Sequence, residues 1–154
     1  MMHWLYRLAD RARHRARVRL WAESQAAGSR GEDLAHRFLQ RLGFSVVARN
    51  YRAQGQPGEI DIIAWDGGTL VIAEVKSLSS SEYSAPDRAI DLDKQQSLFE
   101  TASIYRRRAG VDWDRVRFDT VSVLLTDPPA IALRRDAFHP QRPSGRGARR
   151  FVPA

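Results

Sequence analysis

The 154-residue sequence predicts one α/β domain, a single sheet with helices packed on it, in the order α-β-β-β-α-β-β behind a basic arm. Three observations carry this. Two segments place apolar residues three and four apart, the helical period, while five short apolar runs are separated by Gly, Pro, Asp and Ser. One pair of runs is joined by Asp66-Gly67-Gly68, a hairpin signal. With 43% hydrophobic residues, a chain of this length buries roughly 68–70% of its unfolded surface, enough for a core without disulfides.

Residues 3–24 place Trp4, Leu5, Leu8, Ala12, Ala16 and Leu20 near helical spacing with arginines between them, a basic and weakly amphipathic helix. Gly28 to Glu32 is expected to open a second helix through Leu34, Ala35, Phe38, Leu39 and Leu42, ended by Gly43. Residues 44–51 read as a strand, 53–58 as a loop, and 59–65 and 69–76 as the hairpin. A polar loop follows at 77–86. A helix from about Asp91 to Arg108 carries Lys94, Leu98, Ala102 and Tyr105 along one stripe and closes at Gly110. Strands are expected at 117–125 and 130–133. From Pro140 the Pro, Gly, Ser and Arg composition predicts a disordered tail. The division is thus a basic helical arm (1–27), a folded domain (28–138) and a basic tail (139–154).

The net charge of +7 is concentrated at the ends: residues 1–22 carry +5, residues 134–154 carry +5, and residues 23–133 carry −3. Of 25 basic residues only Lys76 and Lys94 are lysine. The arms, through Arg11, Arg15 and Arg19 at one end and Arg146, Arg149 and Arg150 at the other, are candidates for non-specific contact with nucleic-acid phosphates. The absence of cysteine excludes disulfides, thiolate metal sites and a cysteine nucleophile, and fits a reducing, cytoplasmic setting. No apolar run approaches the ~18 residues of a membrane span. His3, His14, His36 and His139 are scattered without ligand spacing, and neither a phosphate-binding G-x-x-x-x-G-K-[ST] loop nor a G-x-S-x-G elbow occurs.

The hairpin is the most informative segment. Side chains two apart on a strand share a face, so Glu59 goes with Asp61 and Glu74 with Lys76. A two-residue Gly67-Gly68 turn sets Asp61 opposite Glu74 and Glu59 opposite Lys76, and all four charges project together. Facing carboxylates repel. A hard divalent cation, Mg²⁺ or Mn²⁺, resolves that repulsion and suits phosphodiester chemistry. The competing reading is a solvated hairpin face, but Ile60, Ile62, Ile63, Leu70, Val71, Ile72 and Val75 mark strands covered on both sides. Spacing alone assigns Glu32 to a capping box with Ser29. Lys94 reads either as a solvated helix residue or as a cation over the sheet. Asp119 is expected to be a strand-end charge, with a site role as the lesser reading.

Asp61 and then Glu74-Val75-Lys76 on two strands, preceded by a Glu-bearing helix, resemble the PD-(D/E)xK nuclease superfamily. More of the chain resembles the YraN family of endonuclease-like bacterial proteins: Gly31-Glu32, Arg49-Asn50-Tyr51, Gly58 to Ala64, Glu74-Val75-Lys76, Lys94 and Arg117-Phe118-Asp119, in order over about residues 28–138. The resemblance implies an αβββαβ restriction-endonuclease-like core, a mixed central sheet flanked by helices. It implies Glu32, Asp61 and Glu74 as metal-side carboxylates, Lys76 as catalytic lysine and Lys94 as auxiliary cation. It further implies an endonuclease hydrolysing DNA, with branched or damaged DNA as a candidate substrate and a homodimer as a candidate assembly. This sequence departs from the family at Lys76-Ser77-Leu78, where a further basic residue is usual, and both arms lie outside the shared region. Two other readings compete: a nucleic-acid-binding protein that keeps the fold without turnover, and a membrane-peripheral or complex-forming adaptor using residues 3–24.

Overall fold

The computed structural model describes residues 3–78 and 90–140, with side chains from Ala16 onward. Its elements are α1 (His3–Arg41), β1 (Ser45–Arg52), β2 (Glu59–Asp66), β3 (Thr69–Leu78), α2 (Leu92–Arg108), a single 3₁₀ turn at Trp113–Arg115, β4 (Val116–Leu124) and β5 (Ala130–Arg134). The strands lie in the order β1-β2-β3-β4-β5, every neighbouring pair antiparallel except the parallel pair β3 and β4. This is the αβββαβ restriction-endonuclease-like core, with β5 added at its edge. The expected loop at 77–86 contributes its first two residues to β3; the rest, with the tail from 141, lies outside the described residues.

The break expected between the basic helix and a second one at Gly28–Glu32 is not formed. One helix of 39 residues runs through it. A helix-interior Gly costs only about 1 kcal/mol and a Ser less, and no proline interrupts the segment. Ser29 and Glu32 therefore stand inside a helix, and the capping-box reading is corrected. Gly43 ends α1 at φ 89° and Gly110 follows α2 at φ 66°, both as C-terminal glycines should.

Both faces of the sheet are covered. On one, Ala35 and Leu39 of α1 pack with Phe44, Ile62, Ala64, Val71, Ala73, Val121 and Val123. On the other, Leu98, Phe99 and Ala102 of α2 pack with Ile60, Ile63, Leu70, Ile72 and Phe118. Each helix is brought close by a glycine. A side chain at Gly31 would lie 2.0 Å from Ser77 Oγ, and one at Gly58 would lie 2.4 Å from Ser97 Oγ and 2.8 Å from the Ser97 carbonyl oxygen. Glu32 and Glu59 each follow one of these contacts, so their backbone positions are fixed by backbone packing.

Asp119 is not a strand-end charge. It is fully buried in the middle of β4, and Arg117 grips it with two hydrogen bonds of 2.8 and 2.9 Å. Arg117 also donates to Asp66 at 2.8 Å, Arg135 donates to the same oxygen at 2.9 Å, and the Asp136 N–H donates to Asp119. The bonds to Asp119 come first in holding Arg117 firmly protonated. This closed network lies toward the hairpin turn and pins the segment after β5, where Phe138 packs on Phe118.

Gly31→Ala gains helix propensity yet drives a methyl into Ser77. We expect it to lower stability by about 1–3 kcal/mol, and Ser77→Gly in the same chain to restore most of the loss. Urea melts of the three variants check this; a neutral Gly31→Ala would show that the helix has room to move.

Candidate functional site

The β2–β3 pairing keeps the register implied by a Gly67-Gly68 turn from Asp66↔Thr69 to Ile62↔Ala73, and there it stops. Beyond that point β2 follows β1, through Tyr51↔Ile60 and Arg52↔Glu59, while β3 follows β4, through Glu74↔Thr120 and Lys76↔Ser122. The two central strands fork at Asp61 and Glu74. The Asp61 carboxylate closes the fork by accepting the Val75 N–H at 2.8 Å. β1 bends with it: Asn50, level with the fork, takes φ 48°, a conformation Asn tolerates better than most residues.

The fork sends the four hairpin charges in different directions, so the expectation that all project together is corrected. Glu74, Lys76 and Lys94 line a hollow of about 340 Å³ with Ser77, Ile90 and Asp91. Glu59 instead lines a polar hollow of about 490 Å³ with Glu32, Asn50, Arg52, Ser24 and Ser29. Asn50 bridges the two carboxylates there, donating to Glu32 at 2.8 Å and Glu59 at 3.1 Å. Arg52 pairs with Glu59, and Arg49 reaches Asp33 at 2.7 Å and Glu32 at 3.7 Å.

Lys94 stands over the sheet, its Nζ 3.1 Å from Glu74 Oε1. Asp91 caps α2 by accepting the Lys94 N–H at 2.9 Å, which fixes Lys94 in the first turn. A cation there opposes the helix dipole, so the ion pair with Glu74 is what favours it.

Burial, first, and then the neighbouring Asp61 charge push the Glu74 carboxyl up from an ordinary 4.5 to about 7, with Lys94 pulling the other way. Burial also raises Asp61 above the usual carboxylate range, against the Val75 N–H and Lys94; the charges of Glu32 and Glu59 add to the rise. Glu74 Oε2 is buried with no hydrogen-bond partner. Hard oxygen donors in this state suit a divalent cation such as Mg²⁺ or Mn²⁺, which takes one or two carboxylates and completes its shell with water and substrate oxygens. Among the described residues no three His, Cys, Asp or Glu side chains group closely enough to hold an ion by themselves.

Of the residues marked in the sequence, the structure gathers Asp61, Glu74, Lys76 and Lys94 at the fork and sets Glu32 on its far side. Arg19 is exposed and paired with Glu23 at 2.9 Å. The side chains of Arg11 and Arg15, and all of Arg146, Arg149 and Arg150, lie outside what is described. Sequence reasoning missed Asn50, Arg49 and Arg52 as organisers of the acidic groups. The available signal was an Asn inside a strand-forming run.

Glu74 sets a pH dependence. Its carboxyl binds a proton more tightly folded than unfolded, so its contribution is fully present below about pH 4.5 and is lost as pH rises through about 7. In metal-free buffer, Glu74→Gln should gain about 1–3 kcal/mol relative to wild type between pH 5 and pH 8. Denaturant melts at the two pH values measure it; a difference that does not change with pH would show an unperturbed Glu74.

Residues 31–123 match the family described as uncharacterised protein family UPF0102. That stretch contains Glu32, Asp61, Glu74, Lys76 and Lys94. A UPF0102 protein of Solibacter usitatus is 49% identical over 138 residues, covering 90% of this chain and all of that protein. One of Rhodococcus jostii is 39% identical over 119 residues, 76% of this chain and 99% of its own. One of Persephonella marina is 40% identical over 97 residues, 63% of this chain and 82% of its own. With the fold and the shared stretch agreeing, the chain belongs to the uncharacterised protein family UPF0102, the YraN family.

Proposed function

We propose that this protein is a metal-dependent endonuclease that hydrolyses DNA phosphodiesters, with branched or damaged DNA as its substrate class and Mg²⁺ or Mn²⁺ held by Asp61 and Glu74. One observation carries the reading: two half-buried carboxylates meet where the central strands fork, one with an unpartnered oxygen, beside the only two lysines of the chain. Leaving buried carboxylates in mutual repulsion costs folding energy, and a divalent cation offsets that cost. Such an ion, when bound, stabilises charge on phosphodiester oxygens and lowers the pKa of a water.

The chain's own groups divide the remaining work. Val75 N–H holds one Asp61 oxygen in place, so the other is presented without rotational freedom. Glu74 presents Oε2 while Lys94 neutralises Oε1. Lys76, lining the same hollow, supplies a compact ammonium for charge developing on the phosphate. Glu32, steadied by Asn50, adds a second carboxylate on the far side of Asp61.

The test is cleavage of linear, flapped and four-way DNA with and without Mg²⁺ or Mn²⁺. We expect cleavage only with the ion, loss in Asp61→Asn and Glu74→Gln, a fall of about 10²–10³-fold in Lys76→Arg, and a smaller fall in Lys94→Gln. The ion should also raise the melting temperature, by about 2.7 kcal/mol of stability at a hundredfold excess over Kd. A thermal response unchanged in Asp61→Asn with Glu74→Gln moves the cation elsewhere, and binding of DNA with no cleavage under any condition leaves a nucleic-acid-binding protein.

A further inference from the structure

The last contacts of α1 with the sheet are at the fork end of β3, where Gly31 presses on Ser77 and Ser77 Oγ donates to the Ala27 carbonyl at 3.4 Å. From there the helix continues without a break back to His3, and every residue from Ala16 to Ala26 is exposed. The 24 residues from His3 to Ala26 span about 36 Å at 1.5 Å per residue. The overhang leaves directly from the site: Ser24, Gln25, Gly28 and Ser29 line the same hollow as Glu32. Residues 1–24 carry six Arg against Asp10 and Glu23, beside a net negative core.

We propose, on the nuclease reading above, that the α1 overhang is a rigid basic rail along which the duplex flanking the reacting phosphodiester lies, on one side of the site only. Its length matches about 10 base pairs at 3.4 Å each. The C-terminal basic segment does not share the rail, because the chain before it is pinned toward the hairpin turn, where Ala137 N–H donates to the Phe118 carbonyl and Arg135 reaches Asp66.

Charge and pattern select this partner over two others. Val18, Leu20 and Trp21 are exposed by 51%, 64% and 67%, but at about 100° per residue they point to separate sides of the helix. Arg17 and Arg19 lie between them, so no single apolar face exists to enter a lipid surface. Two copies of so basic a segment repel rather than pair. A polyanion of regular spacing satisfies charge on every side of the rod.

The experiment uses full-length chains and duplexes of increasing length in metal-free buffer, with affinity corrected for the number of binding registers. Wild-type affinity should stop rising about 10 base pairs later than that of a chain with Arg7, Arg11, Arg13, Arg15, Arg17 and Arg19 changed to Gln. That variant should lower the slope of log affinity against log salt by about 3. Ala22→Pro keeps every arginine but breaks the rod; it should lose the late plateau. Arg146→Gln with Arg149→Gln and Arg150→Gln should keep it. A late plateau retained in Ala22→Pro, or lost in the C-terminal variant, overturns the rail. So does a six-arginine variant that binds duplex as wild type while losing anionic phosphatidylglycerol vesicles, or while a wild-type dimer dissociates. A wild-type chain that shows the length dependence but cuts no DNA with Mg²⁺ or Mn²⁺ rejects the nuclease reading and leaves the rail standing.

Discussion

The hydrogen bond from Val75 N–H to the Asp61 carboxylate is the constraint around which the acidic end of this molecule is arranged. In an uninterrupted antiparallel ladder, backbone carbonyls of the neighbouring strand supply the acceptors. Here the ladder has ended at Ile62↔Ala73, and a side chain takes over. A buried N–H left without an acceptor would cost about 1–3 kcal/mol, so β2 and β3 can separate only because an acidic residue stands at the branching point. The separation opens one hollow toward α2 and another toward α1. The carboxylate that permits the separation is also the one whose charge is felt from both.

Around that bond the electrostatics are deliberately unbalanced. Toward the hairpin turn, Arg117 and Arg135 meet Asp66 and Asp119 in a network that uses each group more than once. At the fork, Asp61, Glu74, Glu32 and Glu59 act on one another, and Lys94 compensates only Glu74 directly among the printed distances. The same chain thus satisfies buried charge at one end of its sheet and leaves it strained at the other. Such an asymmetry places ligand chemistry at the second end.

Much of this was legible in the sequence. The hairpin register followed from Gly67-Gly68, the coverage of both faces from unbroken apolar runs such as Ile60 to Ala64, and the special standing of Lys76 and Lys94 from the dominance of arginine. The fork was not legible, because strict alternation assumes a ladder that continues, and nothing local in Glu59 says which neighbour it will follow. The continuity of α1 was missed for a related reason. Gly28, Ser29 and Gly31 have the composition of a helix start, but Gly31 is there for its absent side chain against Ser77, a contact 46 positions away in sequence. Asp119 illustrates a third limit, since its partner Arg117 is obvious only once burial has made a partner obligatory.

That α1 is one hydrogen-bonded rod also restricts how the N-terminal segment can change in length. Inserting a residue between Ala22 and Ala26 leaves Glu32 where it is but rotates everything upstream by about 100° and advances it by about 1.5 Å. Insertions of seven or eleven residues return nearly the original facing. If the outer part of the rod must meet a partner at a set angle, drift in this segment is quantised by the helical period, while the outermost turns can be shortened or lengthened freely. Sequence variation on the two sides of Ala22 should therefore obey different rules, substitution and near-whole turns on the inner side and arbitrary length at the outer end.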